Sequence, residues 1–597
     1  MNDSGREGIR SMTATNRRGR TWLLVLLIGH LLLAGAYSLW VPLGEAPDEA
    51  DHWAYIQYLA REHRLPQGPE LTQAKHPPLY HASAAVLASL VVPNLGGLDS
   101  RLFLRANPDV SFWSEDIATG GYSYNSFIHT TYEEWPWRPG PLAFHLARFW
   151  SVLLSTLTVW ATYRLLLTIF PGEDAFPLVL ATTAFVAFLP EFAFIGSVLN
   201  NDTLAALLGT AALWGGWTLY RSRGQMGGVD TGLALGLGVW AKVSTIALWP
   251  TVFLLALLGA WRARPHPRRW GRGVVLPFMA ATLIAAPWFI RNWRLYGDPT
   301  GIALARQTVD QRTTPWTWAD TRWLLNGWFH SFWGKFGSAG HIPMNPFLYQ
   351  VLLVLTLLAV MGLFLALLRR QAFLPVAIFT LAAGSVALAI WRYSLIALGT
   401  DQGRLLFPAL APLAGLLVLG WMSLVPARQR GLLALLIGMG MAGLGVYGLV
   451  GVIRSAYAPP PTASALEWGR LPRMVPLRFE DVALVAWEAK GGNITLYWLA
   501  MQRPRVDQRA VLRLSDDAGR VVWEWKRSPG AGRWSTDHWP RGYVMRDVYP
   551  AKRLASLPAG RYRLQVGMYP FMGKMMTPVQ GETQVDSPFV TLGWVRR

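Results

Sequence analysis

Acidic and imidazole side chains are concentrated in residues 42–63, directly after the first hydrophobic segment. Pro47 suits the first position of a helix because its missing N–H costs nothing there. On such a helix Asp48 and His52, at i and i+4, share one face. A carboxylate beside an imidazole can handle a proton at a membrane surface. The same acids would also simply complement a helix dipole, and this stretch alone does not decide between the two. Four acids fall within seven residues: Glu45, Asp48, Glu49 and Asp51.

A further carboxylate, Asp202, stands in the very short polar turn 198–202 between two hydrophobic segments. It can cap the helix that follows. If it faces the same cavity as Asp48, one acid can activate a nucleophile while the other holds a cation, a metal or an acceptor. Asp48 and Asp202 are therefore the candidate ligands for a divalent cation, Mg²⁺ or Mn²⁺, although the sequence establishes no cofactor.

Several cations stand where a phosphate could be held. Lys75 and His76 precede two prolines that fix the backbone, and an Arg fork grips phosphate in a bidentate manner. The lysine in the hydrophobic hairpin at 229–261 could instead extend to the membrane surface, and the arginines could be interfacial anchors. The candidates for binding substrate or phosphate are His52, Lys75, His76, Lys242, Arg291 and Arg404.

The elements that must position these residues are membrane helices. The chain is 52% hydrophobic and 15% charged, and such values are typical of a protein with many spans. The net charge of +20 lies mainly in short loops, which indicates membrane topology and argues against a nucleic-acid partner. The absence of cysteine excludes disulfides and thiolate metal sites. No Gly-rich phosphate loop is present, so a nucleotide site is not expected.

Hydrophobic segments of sufficient length predict eleven spans. The arginines of alternate connections (221–223, 262–272, 369–370 and 428–430) then fall on the side of the basic segment 1–20, which makes that side cytoplasmic. The outer loops are 42–142, with a short re-entrant or surface helix at 77–92, and 291–345. The expected location is the plasma membrane. The predicted spans are 21–41, 143–170, 176–197, 203–220, 229–242, 244–261, 273–290, 346–368, 372–391, 404–424 and 431–452.

The last part of the chain has a different character. After a proline-rich linker at 456–474, residues 475–597 alternate apolar and polar residues with period two. This pattern predicts an antiparallel β-sandwich, which an odd number of spans places outside the cell. Its tryptophans could bind sugar faces, but their place in the alternation favours a packed core.

With these residues placed, the chain resembles the GT-C class of membrane glycosyltransferases, which includes protein O-mannosyltransferases and lipid A aminoarabinose transferases. The resemblance covers most of 20–450. An acidic pair follows the first span of that class, as PDEADH (47–52) does here. HPPLY (76–80) is similar to a Lys-Pro-Pro-Leu-Tyr-like element, with His76 where relatives often have Lys. Other similar segments are Asn201-Asp202, 287–299 and 402–410.

The resemblance implies a polyprenyl-phosphate-linked sugar as donor, a glycan, lipid or protein acceptor, and inversion at the anomeric carbon. Asp48 or Glu49 would be the base, and Asp202 would orient the acceptor or a divalent ion. The growing phosphate charge would be neutralised by Lys75, His76, Arg291 and Arg404. The alternative function is a lipid-linked sugar flippase or another transporter, which predicts symmetric repeats and charges near mid-membrane.

Overall fold

The computed structural model describes residues 3–263, 266–370, 372–471, 474–555 and 557–596. Met1 and Asn2, from the predicted cytoplasmic segment, and Arg597, from the predicted β-sandwich, lie outside the described residues. The chain is a helical membrane-type protein with β-sheets in its C-terminal part. The helices are α1 (Asp3–Trp40), α2 (Glu49–Glu62), α3 (Leu79–Ser89), α4 (Ser114–Ala118), α5 (Pro139–Ile169), α6 (Phe176–Phe188), α7 (Pro190–Ile195), α8 (Asp202–Arg221), α9 (Gly228–Ala241), α10 (Trp249–Trp261), α11 (Pro267–Trp270), α12 (Leu276–Tyr296), α13 (Ile302–Thr308), α14 (Trp318–Trp333), α15 (Pro346–Leu368), α16 (Phe373–Ser394), α17 (Leu410–Ser423), α18 (Arg430–Tyr447), α19 (Arg454–Ala456) and α20 (Ala465–Trp468).

Eight helical segments within the described ranges are long and apolar enough to cross a membrane. The other three predicted spans are the α6–α7 segment, α8 and α9. Pro190 divides the first of these, since proline cannot donate the backbone hydrogen bond that would continue α6. α8 has 20 residues but is less apolar than a membrane span requires. α9 has 14 residues, about 21 Å at 1.5 Å per residue. A count of eleven passes therefore stays a prediction. The eight segments are Gly19–Trp40, Pro139–Ile169, Val243–Trp261, Pro267–Tyr296, Pro346–Leu368, Phe373–Ser394, Gly403–Ser423 and Ala427–Ala456.

These three segments pack against the other helices. α8 contacts α5 and α9, α9 also contacts α12, and α6 contacts α17 and α18. Small residues allow these close approaches: a Cβ at Gly232 would lie 2.7 Å from the carbonyl oxygen of Pro277. Such packing of small residues is typical of membrane helices. It places the beginning of α8 beside the end of α9, where the candidate residues Asp202 and Lys242 lie.

The described residues of the C-terminal part form two antiparallel sheets. One has the order β11-β10-β3-β4-β5-β8 and the other the order β12-β9-β6-β7. Both contribute to one buried apolar cluster, with Leu484 and Trp498 from the first sheet and Leu512 and Leu564 from the second. Trp498 is fully buried in this cluster, whereas Trp523 and Trp525 are partly buried against it. The strands are β1 (Lys335–Phe336), β2 (Ile342–Pro343), β3 (Leu477–Phe479), β4 (Val482–Lys490), β5 (Asn493–Ala500), β6 (Gln508–Ser515), β7 (Val521–Arg527), β8 (Val544–Tyr549), β9 (Arg561–Pro570), β10 (Val579–Gln580), β11 (Thr583–Gln584) and β12 (Val590–Arg596).

The chain between α1 and α5, which the sequence predicts to be outer loop 1, joins the helical region to the sheets. Its Arg105 forms a buried ion pair with Asp507, and its Thr131 hydroxyl donates to Asp537 at 2.7 Å. These contacts tie the C-terminal sheets to the loop that carries Asp48.

Candidate functional site

Arg404 joins two carboxylates that are far apart in the chain. It stands in a short 3₁₀ segment, Gly403–Ala409, that precedes α17. Its Nη2 lies 2.5 Å from an oxygen of Asp48, and its Nη1 lies 3.0 Å from an oxygen of Asp202. Its Nε donates to the Gln402 side chain at 2.6 Å, which fixes the plane of the guanidinium. Three of the candidate residues, Asp48, Asp202 and Arg404, are therefore in direct contact in the structure.

Lys242 completes this group from the end of α9. Its Nζ pairs with the second oxygen of Asp202, and its side chain is 12% exposed. It thus does not extend freely to the membrane surface. Asp202 is the first residue of α8, while Asn201 holds the capping position. The Asp202 carboxylate is shared by two cations and does not serve as a helix cap.

Asp48 is the exposed member of the group. Its side chain is 46% exposed, against 5% for Arg404 and 1% for Asp202. Its backbone is left-handed, with φ 60° and ψ 9°, and α2 begins only at Glu49. The expectation that Pro47 begins the helix is therefore wrong. A left-handed backbone is strained for most residues but tolerated by Asp. In this conformation the Asp48 side chain contacts Arg404.

The charges around Asp48 determine its protonation. Partial burial raises the pKa of this carboxyl, but the Arg404 guanidinium, with His52 and Lys75, outweighs that effect and lowers the pKa to about 2. Burial and the neighbouring Asp48 charge raise the pKa of Asp51. Burial lowers the pKa of Lys75, while Asp48 and Asp51 oppose that effect. Asp48 is consequently ionised at neutral pH, and its negative charge acts on the pKa values of both Asp51 and Lys75.

Lys75 and His76 occupy the turn before α3. The Nζ of Lys75 donates to the Thr72 carbonyl at 2.9 Å. The pKa of His76 lies well below its usual value because of burial, with further lowering by Lys75 and Lys242. His76 is therefore neutral at pH 7 and offers hydrogen bonds, whereas Lys75 supplies a charge near Asp48.

His52 is buried next to Asp48 and contacts His81, which was not among the residues predicted from the sequence. Its Nδ1 lies 2.8 Å from Nε2 of His81, and the two rings stack. Tyr55 stacks on His81 with ring centroids 4.2 Å apart. Burial lowers the pKa of His52 to about 3, so this ring is neutral. The available signal for His81 was its position as a histidine in the mainly apolar segment 77–92.

Glu49 belongs to a separate pair with Arg148. One of its oxygens accepts from Arg148 Nε at 2.7 Å and the backbone N–H of Leu199 at 3.0 Å. The other accepts from Arg148 Nη2 at 2.7 Å and the N–H of Gly44 at 3.0 Å. Both side chains are fully buried. Arg148 was also missed, although an arginine inside the predicted span 143–170 is a signal in itself.

Arg291 does not join the charged group either. It lies within α12, which continues to Tyr296, so the loop predicted to begin at residue 291 starts later in the structure. Its Nη2 donates to the Pro66 carbonyl at 2.5 Å, and its guanidinium lies over the Trp288 ring at 5.1 Å from the centroid. Arg291 thus anchors outer loop 1 at Pro66.

The group does not fit a divalent cation. Among the described residues no three His, Asp or Glu side chains converge in the manner of a metal site. Asp48 and Asp202 already share Arg404, and Asp202 also pairs with Lys242. A hard cation such as Mg²⁺ needs several oxygen ligands and would face these two positive charges. The positive charge at this site is supplied by side chains.

Comparison with known proteins gives one solved structure to report. No protein-family model matches the chain, and no curated protein matches it. The structure is the crystal structure of the Archaeoglobus fulgidus oligosaccharyltransferase complex with Zn and sulfate, with a TM-score of 0.39 and 14% sequence identity. The match covers 74% of this chain and 54% of that one, so this chain spans about half the length of its neighbour.

Proposed function

We propose that this protein transfers a sugar from a polyprenyl-phosphate donor to an acceptor hydroxyl at the membrane boundary where Asp48 lies. The supporting observation is the position of Arg404, which ties a half-exposed carboxylate, Asp48, to a buried one, Asp202. An accessible carboxylate beside fixed cations supplies a base for an entering hydroxyl and positive charge for a leaving phosphate.

In the proposed reaction the Asp48 carboxylate accepts the proton of the acceptor hydroxyl while that oxygen bonds to the anomeric carbon. The bond from this carbon to the phosphate oxygen breaks, and its electron pair stays on the polyprenyl phosphate. Attack opposite the leaving group inverts the anomeric centre. Because its pKa is about 2, Asp48 is in the required ionised form before any substrate binds.

A carboxylate with such a low pKa is a weak base, and in this proposal binding of the donor raises the basicity of Asp48. When the donor phosphate engages Arg404, the hold of the guanidinium on Asp48 weakens. The pKa of Asp48 then rises toward its ordinary value of 3.8, and the carboxylate accepts a proton more readily. Lys75 and Lys242 add positive charge for the leaving group, and neutral His76 adds a hydrogen bond.

Asp202 and Glu49 take positioning roles in this proposal. Asp202 is 1% exposed and holds Arg404 and Lys242 in place, so it acts on the phosphate through those cations. Glu49 accepts four hydrogen bonds from Arg148, Leu199 and Gly44 and thereby fixes the loop before α2. Of the two adjacent acids, Asp48 and Glu49, Asp48 is therefore the proposed base. The predicted phosphate role of Arg291 has no support from its contacts.

The transporter alternative places charges near the middle of the bilayer. Here Asp48 follows α1, Asp202 begins α8, Lys242 ends α9 and Arg404 precedes α17. These positions lie at one set of helix ends, which favours group transfer at a membrane boundary over passage through it.

The test is a transfer assay in membranes with radiolabelled polyprenyl-phosphate sugars. Asp48→Asn keeps the shape of the side chain and removes the base, and we expect transfer to fall by roughly 10²–10⁴-fold. Asp230→Asn is the matched control, because Asp230 is exposed near the start of α9, at the opposite end from Lys242. Undiminished transfer by Asp48→Asn would contradict the assignment of the base. Movement of labelled lipid across liposomes without transfer by the wild type would establish the transporter.

A further inference from the structure

A cavity of about 300 Å³ lies at the helix ends opposite to Asp48. It is bounded by the ends of α5, α15 and α17 and by the beginnings of α6, α16 and α18. Its walls are mainly apolar, and its charged lining residues are Asp174 and Arg430. Apolar side chains that form the walls are Phe170, Leu178, Val376 and Leu419.

Arg430 has unused hydrogen-bonding capacity in this cavity. Its Nε is buried and has no hydrogen-bond partner within the part of the chain that the structure describes. A buried donor without an acceptor is costly, most of all when it carries charge. An acceptor from outside the chain would satisfy it, and phosphate oxygens match the fork of an arginine.

The surroundings of the cavity carry a surplus of positive charge. Arg369 and Arg370 follow α15, and Arg428 precedes α18. Arg369 donates to the carbonyl of Ser423 at 3.4 Å, and Ser423 lines the cavity. With Arg430 these make four positive charges, against two acids in the α5–α6 connection. Basic pockets between membrane helices are a known mode of binding lipid headgroups.

We propose that this cavity binds the phosphate of an anionic phospholipid, with Arg430 as its ligand and the acyl chains against the apolar walls. The apolar lining favours a lipid over a free phosphate, because an ion alone would leave those walls in contact with water. The site is independent of the proposed sugar transfer, since it lies at the other membrane boundary.

The test is native mass spectrometry of the purified full chain with phosphatidylglycerol or phosphatidylcholine added. We expect the wild type to retain phosphatidylglycerol in preference to phosphatidylcholine. Arg430→Gln should lower retention on the order of tenfold, the usual loss for one charged hydrogen bond. Asp174→Asn should raise retention, because it removes a like charge. The matched control is Arg268→Gln, an exposed arginine in another connection at the same helix ends.

Arg430→Lys covers the case in which Arg430→Gln does not fold. It keeps the charge and loses the fork, so intermediate retention is expected. Equal losses for Arg430→Gln and Arg268→Gln would overturn the proposal, since the whole basic surface would then hold the lipid. Displacement of the lipid by glycerol phosphate at equal concentration would also overturn it, because the chains would then contribute nothing.

Discussion

Asp202 and Arg404 are 202 residues apart in the sequence, and their side chains meet at 3.0 Å. Both are almost fully buried, and Arg404 continues from this contact to the half-exposed Asp48. One guanidinium thus couples a buried charge to an accessible one. This arrangement holds an ionised carboxylate at a membrane boundary and keeps cations ready for a second anion.

Arg404→Lys should abolish most transfer although the charge is retained. A lysine has a single ammonium and does not bridge Asp48 and Asp202 as the planar fork does. The loss should be on the order of 10²-fold, as for removal of one preorganised donor. Radiolabel transfer measures it, and Arg428→Lys, an exposed arginine at the opposite helix ends, is the control. Wild-type rates in Arg404→Lys would show that bridging is not required.

Glu49→Gln should chiefly reduce stability. The change leaves the buried Arg148 guanidinium without its carboxylate, and breaking a buried pair costs about 3–5 kcal/mol. Asp48→Asn should cost less stability than Glu49→Gln, because Asp48 is half exposed and Arg404 keeps its pair with Asp202. Thermal unfolding in detergent compares the two, with Glu62→Gln at the exposed end of α2 as reference. If Glu49→Gln unfolds at the wild-type temperature and loses transfer, Glu49 is the base.

The predictions for Asp48 and Glu49 depend on a difference between the contacts of these two acids that the sequence does not show. Asp48, Asp202 and Arg404 are predictable at one end of the helices, because each adjoins a hydrophobic segment and the arginines orient those segments. The sequence does not distinguish Asp48 from Glu49. In the structure Asp48 contacts Arg404 and Glu49 contacts Arg148. The backbone at Asp48 is left-handed, and no local pattern in PDEADH signals that turn.

In the fold, too, some features follow from the local sequence and others depend on contacts between distant residues. Period-two alternation was sufficient to predict antiparallel strands in the C-terminal part. The order of the strands, with β3 between β10 and β4, depends on contacts between distant residues. Likewise hydrophobic length located the helices, but the packing of short α9 between α8 and α12 depends on Gly232 and its neighbours.

A pH-dependent contribution to stability should come from His129. Burial lowers the pKa of this ring, but Glu133 and Glu45 outweigh burial and raise the pKa from 6.5 to about 10. A raised pKa stabilises the fold below the unfolded value, and the contribution is lost as the pH rises from 6.5 to about 10. The unfolding temperature should therefore fall across this range. In His129→Gln the fall should be smaller, and an identical profile in both proteins would contradict the assignment.

Asp507→Asn should loosen outer loop 1 and reduce transfer without touching the site. Asp507 is buried, pairs with Arg105 of the loop, and accepts from the Thr536 N–H at 3.0 Å. The change leaves Arg105 buried without its counter-ion, a loss of about 3–5 kcal/mol that should increase local opening of the loop. Hydrogen exchange should become faster in the loop around Arg105, and transfer should fall because the same loop carries Asp48. Asp516→Asn, in the exposed turn between β6 and β7, should change neither. Faster exchange with undiminished transfer would mean that the C-terminal sheets fold against the loop but do not position Asp48.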